Sequence, residues 1–178
     1  EMALAAHARF AVDVPAAKIG LPEAGLGLMP GFGGTQRMTR LAPWQRAVED
    51  MLAGATYDVT TAKSLGLVRE VVSPDALRDT AHAWLLANPE AQQPWMVRGY
   101  RGPGGATFER FFHKLNAGLI RDGVEGRPEQ RLIAEAVYHG LQMPIEPALR
   151  LEVRRFIELV QIPSVKETMQ RRFFGKVA

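Results

Sequence analysis

The sequence has 178 residues, 47% hydrophobic and 23% charged, with a net charge of +3. That balance supports one sizeable core, or one core with a helical appendage, and excludes a disordered or fibrous chain. There is no cysteine and no apolar run near the roughly 20 residues of a membrane helix, which excludes a disulfide scaffold, thiolate chemistry and helical membrane insertion.

Residue 1 is Glu, and EMALAAHARF shows helical spacing at Met2, Ala5, Ala6 and Arg9 with no N-cap residue ahead of it. The chain therefore reads as continuing an element of something longer, and it has no basic leader of signal-peptide type. A small-residue helix is predicted from Glu1 to about Ala8, then a strand over Phe10 to Val12 and a turn at Asp13-Val14-Pro15. Lys18 to Leu21 reads as a short strand closed by Pro22. The segment from Glu23 to Arg40 is glycine-dense and loop-like up to Gly34 and helical from Thr35. A helix is predicted over Trp44 to Leu52, with Val48, Met51 and Leu52 on one stripe. Thr60 is expected to cap a short helix over Thr61 to Leu65, ended by Gly66. Leu67 to Val72 alternates as a strand, and Ser73-Pro74-Asp75 starts a helix reaching about Leu86.

A linker is expected over 91–106. Asn88 to Pro94 is polar and proline-bounded, and Gly99 to Ala106 holds four glycines and a proline. Beyond it the pattern is helical. Phe108, Phe111, Phe112, Leu115 and Leu119 mark one face, and Leu132, Ile133, Ala136, Val137 and Leu141 another. Pro144 and Pro147 are expected to interrupt. Leu149, Val153, Phe156, Ile157 and Val160 then form an amphipathic stripe, predicted to be the buried side of a helix. The basic excess lies after residue 75, where 15 Lys and Arg face 11 Asp and Glu. Such a bias suits an anionic ligand such as a nucleotide or phosphate, but acids interleave with the bases, which favours the plainer reading of solvated helix faces.

Among residues able to do chemistry, Glu23 stands out. It follows a strand and Pro22 and enters a loop in which Gly25 and Gly27 carry no side chain to obstruct a ligand. Composition alone makes it an exposed loop acid. Glu1 gains meaning only beside Glu23, since two carboxylates converging on one water can activate it and deliver its proton. The loop Pro30-Gly31-Phe32-Gly33-Gly34-Thr35 precedes a helix and offers backbone N–H groups to an anion or a water. It is a poor phosphate loop, because no Lys follows its last glycine. His7, His82, His113 and His139 are far apart without metal-ligand spacing, so no metal is expected. No nucleophile-elbow serine occurs, and no aromatic platform interleaves with the bases, so no nucleic-acid partner is expected.

IGLPEAGLGLMPGFGGTQRMTRL resembles the signature of the crotonase (enoyl-CoA hydratase/isomerase) family, and TTAKSLGLVREVVSPDAL resembles that family's later helix–strand unit. EMALAAHARFAVDVPAAK resembles the helix and strand just before the signature. The Glu1 to Glu23 spacing is most similar to bacterial multifunctional fatty-acid-oxidation proteins, in which a hydratase precedes a 3-hydroxyacyl-CoA dehydrogenase. VYHGLQMPIEPALRLEVRRF resembles the linker between those two catalytic domains.

The resemblance implies an α/β fold: the C-terminal part of a crotonase-like spiral of ββα units over 1–90, a Gly/Pro linker over 91–106, and a helical linker region over 107–178 that would precede a dehydrogenase. It implies hydration of trans-2-enoyl-CoA to 3-hydroxyacyl-CoA in β-oxidation, in a bacterial cytoplasmic protein. Glu1 and Glu23 match the two catalytic glutamates that hold the water, with Glu23 exchanging the α-carbon proton, and Gly31 matches a glycine whose N–H binds the same water. The family's oxyanion donors, and most of its coenzyme A surface, fall ahead of Glu1. The implied partners are an acyl-CoA thioester and the N-terminal half of the same domain. No cofactor is implied for hydration, coenzyme A being part of the substrate, and NAD would serve only a dehydrogenase domain beyond this chain. Two alternatives remain: Δ3-Δ2-enoyl-CoA isomerisation, which needs only the base at Glu23, and a non-catalytic docking module. The chain alone is expected to be inactive. Strands such as Lys18–Leu21 and Leu67–Val72 are expected to lack sheet neighbours, leaving edges through which the chain associates into an oligomer.

Overall fold

The computed structural model describes residues 1–123 and 126–175. The helical region expected over 107–178 thus includes residues 124–125 and 176–178, which lie outside the described residues. The opening sequence gives only one turn, α1 (Met2–Ala5), and Ala6 is already extended (φ −73°, ψ 150°). The expected helix to Ala8 is cut short because no side chain caps it and side chains, not helical N–H groups, take its last carbonyls. Gln93 donates to Ala5 O and Ala6 O, and Arg9 donates to Ala6 O and Leu67 O.

Four short strands form two pairs among the described residues. β1 (Phe10–Val12) runs parallel to β4 (Glu70–Val72), with Phe10 opposite Glu70. β2 (Ile19–Gly20) runs antiparallel to β3 (Thr56–Tyr57). The two strands expected to lack neighbours therefore each have one, inside this chain. β3 escaped the sequence reading because two residues cannot display a period.

A 3-10 turn at Glu23–Leu26 leads through the glycine loop into α2 (Gly34–Leu41), followed by α3 (Trp44–Ala53). Helix α4 (Val59–Ser64) begins earlier than expected. Asp58, not Thr60, is the N-cap, its side chain accepting from Thr61 N at 2.7 Å. Helix α5 (Leu77–Ala87) packs against β1.

The second half supplies α6 (Gly105–Arg121), α7 (Pro128–Gly140), α8 (Ile145–Gln161) and α9 (Pro163–Phe173). Pro147 does not interrupt α8. It sits in the first turn, where a missing N–H removes no helical bond. Helix α7 lies across α2 and α3, so Met38, Val48 and Met51 share one hydrophobic core with Leu132, Ile133, Ala136 and Val137. The aromatics Trp44, Phe108, Phe111, Phe112 and Tyr138 join α3, α6 and α7, with Trp44 and Phe111 ring centroids 4.9 Å apart at 78°. Among the described residues no helix is long and apolar enough to cross a membrane.

The inward face of α8 differs from the predicted stripe. Val153 and Ile157 are exposed, whereas Ile145, Ala148, Glu152 and Leu159 are buried. A glutamate lies in the middle of the buried line.

Candidate active site

The glycine loop must turn sharply into α2, and Gly33 does so with φ 93°, a left-handed conformation disfavoured for residues with a Cβ. The result is a run of backbone N–H groups at the start of α2, where the helix dipole favours negative charge. Two carboxylates divide that run. Glu1 Oε1 accepts from Phe32 N at 2.8 Å and Gly34 N at 2.7 Å. Glu152, reaching from α8, accepts from Gly33 N through one oxygen. Its other oxygen accepts from Thr35 N at 2.8 Å and from Thr35 Oγ1. The four donors thus alternate between the first residue of the chain and a residue of the helical region. The N–H groups of Phe32, Gly33, Gly34 and Thr35 are thus satisfied by the chain's own acids.

Glu23 sits at the first position of the 3-10 turn, half-buried. Its Oε2 is buried without a hydrogen-bond partner among the described residues. Burial pushes its pKa up from the ordinary carboxyl value. Its own backbone N–H opposes that shift, and the negative charge of nearby Glu1 adds to it. Burial thus biases Glu23 toward holding a proton, and an unpartnered buried oxygen calls for a ligand or water to satisfy it. Gly31 precedes the first Glu1 donor, and its N–H has no protein acceptor among the described residues. A Cβ on Gly31 would lie 2.6 Å from Phe156 Cδ2, so α8 packs directly on the loop at this glycine. Gly25 is open to solvent, and a cavity of about 500 Å³ beside Gly25 and Gly27 is lined by Arg127, Arg171 and Arg172.

The sequence reading singled out Glu1, Glu23 and Gly31 and missed the residues that hold the loop. Besides Glu152 these are Gln36 and Arg40 of α2, both buried. Gln36 donates to Ala136 O at 2.9 Å, and Arg40 donates to Gly140 O at 2.7 Å and Met143 O at 3.1 Å. Burial lowers the Arg40 pKa, and carbonyls near the end of α7 satisfy its guanidinium. Glu152 also has a raised pKa. Burial is the main cause, opposed by the donors of Thr35 and Gly33, while the charge of Glu1 adds to it. No sequence signal marks Glu152: its place on the buried line of Ala148 and Leu159 is seen only in the structure.

Residues 1–93 match the family model described as enoyl-CoA hydratase/isomerase. The chain is 46% identical over 96 residues to the glyoxysomal fatty acid beta-oxidation multifunctional protein MFP-a of Cucumis sativus, an alignment covering 54% of this chain and 13% of that protein. It is 33% identical over 168 residues to fatty acid oxidation complex subunit alpha of Shewanella amazonensis, covering 92% of this chain and 24% of that one. The chain thus spans less than a quarter of either relative. A carnitinyl-CoA dehydratase from Mycobacterium avium 104 superposes with a TM-score of 0.59 at 24% identity, over 99% of this chain and 56% of that one, which establishes the fold as the C-terminal part of a crotonase-type domain. On the family match, which covers more than half of the sequence, the chain belongs to the enoyl-CoA hydratase/isomerase family.

Proposed function

We propose that these residues are the water-handling part of an enoyl-CoA hydratase acting in fatty-acid β-oxidation, within a longer protein like the multifunctional relatives. The observation that carries this reading is the docking of Glu1 on the loop N–H groups beside Glu23, whose buried oxygen has no partner. Two acids in different surroundings suit different steps. The Phe32 and Gly34 donors fix Glu1 through one oxygen, and its other oxygen can accept from the attacking water. Glu23, biased toward its protonated form, gives a proton to the α-carbon and regains one from that water as the water oxygen bonds to the β-carbon. One water is consumed, the double bond is lost, and no cofactor is required. The free N–H of Gly31 is a further donor to the same water. On this reading the thioester and its oxyanion donors belong to the preceding half of the domain.

Isomerisation between Δ3 and Δ2 thioesters needs a single base, so a docked Glu1 favours hydration. The test is Glu23→Gln in a protein joining residues 1–178 to the preceding half of the domain, assayed by loss of the conjugated-thioester absorbance of crotonyl-CoA. We expect kcat to fall at least about 100-fold, as for loss of a general acid/base. Near-normal turnover would remove Glu23 from the mechanism.

A further inference from the structure

We propose that Glu152, in the helical region, is a positioning residue for the candidate site. By taking the N–H groups of Gly33 and Thr35, it keeps Glu1 on Phe32 and Gly34. The catalytic part of the inference rests on the proposed hydration, whereas the ordering of the loop does not.

A buried carboxylate is costly unless it is fully hydrogen-bonded, and an apolar residue in its place is often neutral or stabilising. Glu152 has 0% exposure on a helix face whose other buried members are Ile145, Ala148 and Leu159. Packing alone would favour a further apolar side chain there. No Lys or Arg pairs with Glu152 among the described residues. Its charge is met only by the three donors of Gly33 and Thr35 and by the start of α2. Glu1 and Glu152 are thus like charges sharing one helix N-terminus without sharing a donor. Removing Glu152 frees the N–H groups of Gly33 and Thr35, which then compete for Glu1. The carboxylate slides along the loop, away from its place beside Glu23. The same face of α8 places Phe156, one turn on, against Gly31, so the helix sets both the position of the loop and the direction of its donors. Residues beyond the Gly/Pro stretch thereby act on a site formed before it.

The test compares Glu152→Gln and Glu152→Leu in the longer protein described above, with crotonyl-CoA as substrate. Misplacement of a reacting group lowers turnover steeply, so kcat of Glu152→Leu should fall by about tenfold or more. KM should change by less than about twofold, since Glu152 contacts no substrate. Glu152→Gln keeps one acceptor oxygen and should recover part of the loss. Amide hydrogen exchange supplies the readout independent of activity. In Glu152→Leu, exchange at Phe32, Gly33, Gly34 and Thr35 should accelerate, while Val48, Met51 and Leu132 stay as protected as before. Local acceleration with the kcat-selective loss supports the inference. Unchanged loop exchange overturns it, as does acceleration spread evenly over the core, which marks a purely structural residue. An active parent whose kcat is indifferent to Glu152→Leu overturns the positioning role and leaves hydration standing. An inactive parent refutes the hydration reading instead, and loop exchange then decides whether Glu152 orders the loop.

Discussion

Glu23, Glu129 and Glu152 share one electrostatic condition: burial raises each carboxyl above its ordinary pKa. A raised folded value means the native state binds protons more tightly than the unfolded chain does. That contribution to stability is fully present below the unfolded pKa of about 4.3 and is lost as pH rises through the folded values. Asp58 and Glu158 have lowered values and act in the opposite sense, but at lower pH. The amide in Glu23→Gln does not ionise, so it avoids the destabilisation that ionised Glu23 brings at higher pH. Thermal melts should therefore place Glu23→Gln above the wild type at pH 8, with the gap closing as pH falls toward the unfolded value of about 4.3. A gap that is constant, or that widens on acidification, would show that Glu23 is not held above its ordinary value. The same two residues mark how far the site is legible in sequence. Glu23 stands out at the entry to a glycine-dense loop after a strand, but its role is legible only through the family resemblance. Glu152 is not legible, because an acid inside a helix is normally solvated, and only the three-dimensional meeting with Gly33 and Thr35 gives it partners.

At the level of elements, α8 is where pattern and structure part. The stripe through Leu149, Val153 and Ile157 is apolar and well spaced, yet Val153 and Ile157 face outward while Glu152 faces in. Periodicity ranks faces by hydrophobicity, so a face whose contact is a polar loop loses that ranking. Gly31 shows the corresponding limit for glycine. The resemblance marks it only for its N–H, and the structure adds that Phe156 fills the space a Cβ would take. A methyl at 2.6 Å from the ring must push α8 or the loop, an overpacking that typically costs about 1–3 kcal/mol. Gly31→Ala should therefore destabilise by about that amount in the wild-type background and by clearly less beside Phe156→Leu, where the ring is gone. Denaturant melts of the four proteins in this double-mutant cycle measure the coupling, and additive costs would mean that Gly31 and Phe156 do not meet in solution.

At the scale of the whole molecule, the Gly/Pro stretch over 91–106 is a break in sequence pattern that the core does not respect. Composition revealed the change from mixed elements to helices, but it carries no information on whether the helices fold back. They do so through contacts between residues distant in sequence: Gln36 with Ala136, Arg40 with Gly140, and Trp44 with Phe108 and Phe111. Gly140 belongs to this joint, because the side chain of Gln36 occupies the place of its missing Cβ at 2.1 Å. Met38, Val48 and Met51 of α2 and α3 lie in one cluster with Leu132, Ile133 and Val137 of α7, which packs on α6 and α8 as well. Two sets of residues that bury each other should unfold together. With Trp84 and Trp95 replaced by Phe, the fluorescence of Trp44 reports the joint between α3 and α6, whereas far-UV ellipticity reports all the helices. The two probes should give coincident thermal midpoints. Midpoints separated by more than about 5 °C, well beyond the shift expected from those two replacements alone, would mean that the helical region melts as a unit of its own, and Glu152 would then leave the loop before the rest of the site unfolds.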